Sequence, residues 1–317
     1  MQQNQVRSIV YTLQQNIRRV IVGKDEAIEL ALIALLCKGH VLIEDVPGVG
    51  KTTLVAALAR SLSCSFKRIQ FTPDVTPSDI TGFTMPSLQT GEMEYKSGAV
   101  MSQIVLADEI NRTSPKTQSS LLEVMEEGQV TVDGVTHPLP RPFMVLATQN
   151  PVDFVGTYPL PEAQLDRFFM RISIGYPNAE EEADILERYT SGKKPMDDLR
   201  PICTSGDILR LQQEVEGVHT SREVRAYIAN IAAASRRNSA LQLGISTRAA
   251  ISLLRASQAC ALLDGRDYVI PEDVQRMATP VLAHRMVLSP EASMRNMTAE
   301  RVLQGVMGAV AVPVKVK

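Results

Sequence analysis

The octapeptide Val46-Pro-Gly-Val-Gly-Lys-Thr-Thr53 constrains this chain more than any other stretch of its 317 residues. It follows an apolar run, His40-Val-Leu-Ile-Glu44, that reads as a strand. It precedes Leu54, Ala57, Leu58 and Leu62, which share one face of a helix. Strand, glycine-bearing loop and helix form the context in which backbone N–H groups surround phosphate oxygens. Glycines at 48 and 50 allow the close approach, and the helix adds its positive end. Lys51 is placed to reach β- and γ-phosphates and the Thr52 hydroxyl to bind Mg²⁺, with Val46, Pro47, Gly48, Val49, Gly50 and Thr53 completing the cradle. The pattern G-x-x-x-x-G-K-[ST] takes a glycine where this chain has Asp45. An aspartate there must point its carboxylate away from the phosphates.

The rest of the first half alternates short β-like runs with helical stretches, the pattern of a three-layer α/β domain around a parallel sheet. Further strands are predicted over 66–71, 103–107, 143–147 and 171–174. Thr76-Pro-Ser-Asp79 reads as a capped helix start, and a second helix runs from Ser114-Pro115 to Gly128. Asp133-Gly134 between β-branched residues marks a hairpin, and a weaker one spans 85–96, turning near Thr90-Gly91. Ile104-Val-Leu-Ala-Asp108-Glu109 is an apolar strand ending in two carboxylates. At the carboxyl end of a buried parallel strand, Asp108 would hold Mg²⁺ and Glu109 would polarise an attacking water. Met144-Val-Leu-Ala-Thr148-Gln149-Asn150 ends in hydroxyl and amide groups, and an amide beside Glu109 can hold that water without adding charge.

Beyond Tyr176-Pro177 the pattern is helical. Asn178-Ala-Glu-Glu181 caps one helix, a looser stretch holds Gly192, Pro195 and Pro201, and helical spacing recurs near 208–215, 224–231, 251–262 and from Pro271. The boundary falls near 177, dividing a core at 1–176, with hairpin inserts near 84–98 and 129–142, from a helical domain at 177–317.

Composition narrows the partners. Lys plus Arg total 33 against 35 Asp plus Glu, a net charge of -2 that argues against a nucleic-acid ligand without excluding one. The longest apolar run, residues 30–37, is far shorter than the roughly 18 residues that suggest a membrane span. No export signal is read at the N-terminus, and four scattered cysteines without a C-x-x-C pair fit buried thiols in a reducing cytoplasm. With the cysteines so far apart, no metal cluster is expected.

The motifs taken together resemble AAA+ ATPases and, within them, the MoxR family. The resemblance rests on Ile21-Val-Gly-Lys-Asp-Glu-Ala-Ile28, VPGVGKTT at 46–53, FTPDVTPSDITG at 71–82, LADEINRTSPKTQ at 106–118, ATQNP at 147–151 and LPEAQLDRF at 160–168. It implies an AAA+ P-loop αβα domain with a five-stranded parallel sheet and a C-terminal all-α lid. It also implies that Val22 and Gly23 lie beside the adenine and that Asn150 senses the γ-phosphate. By the same resemblance Arg167 is the arginine finger, with Arg171 a substitute candidate, and Arg248 of Gly244-Ile-Ser-Thr-Arg248 is the second sensor. The alternative for Arg167 is an ion pair with Glu162 or Asp166; for Arg248 it is an exposed residue at a capped helix start. The two hairpins resemble those that face a pore or client, and they can equally be ordinary surface hairpins.

The resemblance implies an ATP-hydrolysing, hexameric ring that uses ATP and Mg²⁺ to mature other protein complexes. A separate protein bearing a von Willebrand factor A domain would be its partner. The alternatives are a nucleotide-dependent assembly scaffold with little hydrolysis, or a DNA- or magnesium-chelatase-related motor. The tail Val312-Pro-Val-Lys-Val-Lys317 reads as a solvated end.

Overall fold

The computed structural model describes residues 3–89, 91–150, 156–190 and 195–313. Thr90 of the predicted hairpin turn, Pro151 of the ATQNP motif, Gly192 and the tail from Val314 lie outside them. Two helices, α1 (Gln3–Arg18) and α2 (Asp25–Leu36), lead into β1 (Val41–Glu44), the phosphate loop and α3 (Lys51–Ser61). Next come β2 (Phe66–Gln70), α4 (Pro77–Thr81), the hairpin β3 (Gly82–Pro86) and β4 (Met93–Ser97), and β5 (Ile104–Asp108). Helix α5 (Pro115–Glu127), the hairpin β6 (Gln129–Val132) and β7 (Val135–Pro138), β8 (Met144–Gln149), α6 (Glu162–Leu165) and β9 (Met170–Ile172) complete the α/β part.

Local chemistry explains the boundaries. Thr76 and Asp79 form a reciprocal capping box ahead of Pro77, Ser114 accepts from the Thr117 N–H, and Gly128 ends α5 at φ 64°. Asp133 and Gly134 take φ 49° and 79°, the two left-handed residues of a tight hairpin. Each of the five predicted sheet strands forms within one to two residues of its predicted ends.

The sheet is wholly parallel in the order β2-β5-β8-β1-β9. Alternate residues of its strands feed two cores. Val41, Ile43, Ile104, Leu106, Met144 and Leu146 face one, and Leu42, Val105, Ala107, Val145 and Ala147 face the other. The second core is closed by α5 and the hairpins. The first continues through α1, α2 and α3 into the helical half. From Leu30 onward helix α2 is apolar all round because it is packed all round, and this accounts for the run at 30–37. No helix among the described residues is long and apolar enough to cross a membrane.

The helical half holds α7 (Ala179–Thr190), α8 (Ser205–Glu216), α9 (Arg222–Arg236), β10 (Leu241–Leu243), α10 (Thr247–Leu263), α11 (Pro271–Leu282), β11 (Val287–Leu288), α12 (Pro290–Met294) and α13 (Ala299–Gly308). The short antiparallel pair of β10 and β11 and an isolated parallel bridge between His219 and Tyr268 depart from the expected all-helical character. Three cysteines are buried and Cys64 is half-buried, all free, and burial pushes Cys203 and Cys260 up to about 12.

Candidate nucleotide site

Because β1, β8 and β5 are successive neighbours, the loop after β1, Asn150 after β8 and the acids at the end of β5 meet at the carboxyl end of the sheet. A cavity of about 350 Å³ lies there, lined by Pro47, Gly48, Gly50, Lys51, Thr52, Thr53, Arg68, Gln70, Asp108, Glu109 and Asn150. Gly48 and Gly50 adopt φ 88° and 90°, conformations that turn the loop's N–H groups and that side chains resist. The Lys51 ammonium donates to the Asp45 carbonyl at 2.7 Å. Burial lowers the Lys51 pKa from its ordinary value, and the carboxylates of Asp45, Asp108 and Glu109 oppose that shift. Val46 and Val49 lie outside the cavity lining; the Val46 N–H donates to Asp45 Oδ1 at 3.1 Å, and Val49 packs on the core.

One hydroxyl touches both acidic residues. Thr148 Oγ1 donates to Asp108 Oδ1 at 2.6 Å and accepts the Glu109 N–H at 2.8 Å. Glu109 sits at φ 59°, a left-handed conformation that costs a non-glycine residue energy and recurs at functional sites. Its Oε2 accepts from the Gln70 amide at 2.8 Å and lies 3.4 Å from Arg112 Nε. Asp108 Oδ2 accepts from Arg68 through Nε at 3.1 Å and Nη2 at 2.5 Å, and the same Nη2 donates to Gln70 Oε1 at 2.8 Å. The Thr52 hydroxyl and the Asp108 carboxylate are hard oxygen donors on one cavity, a set that suits Mg²⁺. When bound, that ion supplies charge neutralisation at phosphate oxygens.

Five of the residues named from the resemblance lie outside this cavity's lining. Val22 and Gly23 do not line the cavity; Gly23 has φ 69° and a Cβ there would collide with Glu181 of α7. Arg167 and Arg248 meet in a second cavity of about 480 Å³ among α5, the 166–169 segment and α10. Both reach Glu126, Arg167 Nε at 3.3 Å and Arg248 Nη1 at 3.1 Å. The carboxylate recorded against Arg167 is thus Glu126, not Glu162 or Asp166; Asp166 lies 3.5 Å from Arg285 instead. The Arg285 guanidinium is buried, donates to the Phe168 carbonyl at 2.6 Å, and is pulled down to about 10 by burial. Arg171 bridges Glu44 at 3.0 Å and Glu300 at 2.5 Å, joining β1 to α13.

Arg68, Gln70, Thr148 and Glu126 escaped the sequence reading as site residues. For Arg68 and Gln70 a signal existed, since polar residues two apart on a strand share a face. Nothing in the sequence said that β2 pairs with β5, however, so that face had no neighbour.

Residues 40–170 match the ATPase family associated with various cellular activities (AAA), and residues 233–306 match the AAA lid domain. The protein YeaC of Bacillus subtilis is 53% identical over 95% of this chain and 94% of its own length. Chaperone MoxR1 of Mycobacterium tuberculosis is 42% identical over 96% of this chain and 83% of its own. A crystal structure from Cytophaga hutchinsonii superposes with a TM-score of 0.93 at 38% identity, covering 98% of this chain and 97% of that one. Likeness of this extent along both halves makes the chain a member of the MoxR family of AAA+ ATPases.

Proposed function

We propose that this chain binds Mg-ATP beside Lys51, hydrolyses it, and works as a ring-forming chaperone on other protein complexes. The observation that carries hydrolysis is the placement of Glu109, in the same cavity as Lys51 and Asp108 and oriented through its N–H by Thr148. A carboxylate fixed there can orient a water and take its proton, while Asn150 on the same cavity holds the water or the γ-phosphate. The chaperone role is drawn from the relative that carries that name. A separate partner with a von Willebrand factor A domain remains part of the reading.

The ring is supported by where the arginines are. Arg167 and Arg248 share Glu126, in a cavity whose lining has no residue in common with that around Lys51. Two guanidinium groups gathered there suit the triphosphate of a neighbouring copy, and a contact of that head-to-tail kind closes into a ring. Arg171, committed to Glu44 and Glu300, is the poorer candidate for a finger. The division at 176/177 is kept as the proposed boundary between core and lid.

The test is steady-state phosphate release with Mg-ATP across a wide range of protein concentration. A specific activity that rises with concentration is expected. A constant specific activity that survives Arg167→Ala would overturn the shared site. No turnover at any concentration would favour the scaffold.

A further inference from the structure

Asp45 stands where the phosphate-loop pattern takes glycine, and its carboxylate has a use of its own. It is buried, at 7% exposure. Its Oδ2 accepts from the Ser173 hydroxyl at 3.1 Å, the Ile174 N–H, and the Gly175 N–H at 2.7 Å; its Oδ1 accepts from the Val46 N–H. Gly175 takes φ 68°, so that successive N–H groups converge in a concave anion-binding turn. A buried carboxylate is tolerable only with such donors, and hydrogen bonds to a charge are about twice as strong as neutral ones.

The two ends so joined belong to different parts of the molecule. Asp45 follows β1 and begins the phosphate loop. Residues 173–175 follow β9, the strand beside β1, and lead directly to α7 and the helical half. A second tie reaches the same exit from the other side. The Lys24 ammonium donates to the Tyr176 carbonyl at 2.8 Å and lies 3.7 Å from Glu181, next to Gly23, the residue assigned to the adenine side.

We propose that Asp45 is a positioning residue that locks the phosphate loop to the 173–176 exit, so that nucleotide in the loop and the placement of the helical half set each other. The inference rests on the nucleotide-binding reading. Glycine at 45 would leave a phosphate loop of the ordinary pattern but strip the exit of its acceptor.

The experiment uses the full chain, MgADP as the probe, and amide hydrogen exchange over 173–186. In the unaltered protein MgADP should slow exchange there about tenfold, and Lys51→Ala should show no response. Asp45→Gly should still bind MgADP, read with a fluorescent analogue, yet lose most of the slowing. Equal slowing in Asp45→Gly overturns the inference and leaves nucleotide binding intact. So does a folded Asp45→Gly that no longer binds MgADP, since Asp45 would then serve the phosphates directly. Failure of the unaltered protein to bind MgADP overturns the nucleotide reading and this inference with it. If binding occurs without slowing at 173–186, only the inference falls. Should Asp45→Gly not fold, Asp45→Asn replaces it: a diminished response supports the tie, and an undiminished one overturns it.

Discussion

The Thr148 hydroxyl serves both acidic residues of the site, donating to the Asp108 carboxylate and accepting from the Glu109 backbone N–H. Thr148→Val keeps the shape of the side chain and removes both bonds. It should lower kcat while nucleotide affinity changes little, with a stability loss of about 1–3 kcal/mol for the donor and acceptor left unpaired. An unchanged kcat in a folded Thr148→Val would show that the acids are held by other means. Glu109→Gln should bind Mg-ATP and retain it, because an amide cannot take a proton from water; normal turnover would exclude Glu109 as the base. Lys51→Ala should lose nucleotide binding, measured by fluorescent-analogue titration. At this scale the loop, the acid pair and Asn150 were legible, because each is a short run at the end of its own element. Arg68, Gln70 and Thr148 were not, because their partners lie 39 or 40 residues away, on or just beyond a neighbouring strand.

Two buried histidines join separate parts of the chain, His40 linking α5 to β8 and His284 meeting the Phe168 carbonyl ahead of β9. The His40 Nε2–H donates to the Met125 carbonyl of α5 at 2.9 Å, and its Nδ1 accepts the Val145 N–H of β8 at 3.0 Å. That pair of bonds holds the neutral ring, and burial lowers His40 to about 4 from an ordinary 6.5. His284, buried beside Arg285, is lowered to about 3 by burial first and then by that charge. Between pH 6.5 and about 4 the unfolded chain therefore binds protons that the folded chain refuses. Stability should fall on acidification through that window, by about 1.4 kcal/mol per pH unit for each histidine. Melting measured between pH 7.5 and 5 checks the sign, and an unchanged midpoint would contradict it. The hairpins illustrate how much pattern reveals. The Asp133-Gly134 hairpin formed where that dipeptide placed it, and the weaker one, expected over 85–96, pairs Gly82–Pro86 with Met93–Ser97, but the stacking of Tyr95 on His137, with ring centroids 3.8 Å apart, joins two hairpins whose contact no local pattern encodes.

At the level of the whole molecule, Arg167 and Arg248 converge on Glu126 from opposite halves of the chain. If that cavity serves a neighbour's nucleotide, mixing Arg167→Ala with unaltered protein should depress phosphate release below the linear average of the two. Strict linearity at concentrations where subunits associate would refute the shared site. The helical half is no appendage: its core is continuous with one face of the sheet through α1 and α2. Asp45 adds a polar tie between the end of β1 and the exit toward the helical half, through Ser173 and Gly175.

What the order of residues determined by itself was the kind of each element and the chemistry at its end. Backbone capping, glycine conformations and apolar alternation act within a few residues, so they are written locally. Strand order, the junction of Arg68 with Asp108, the gathering of two arginines on Glu126 and the aim of the Asp45 carboxylate were decided only by tertiary packing. These depend on which apolar faces bury one another, and burial is a property of the assembled cores rather than of any one segment.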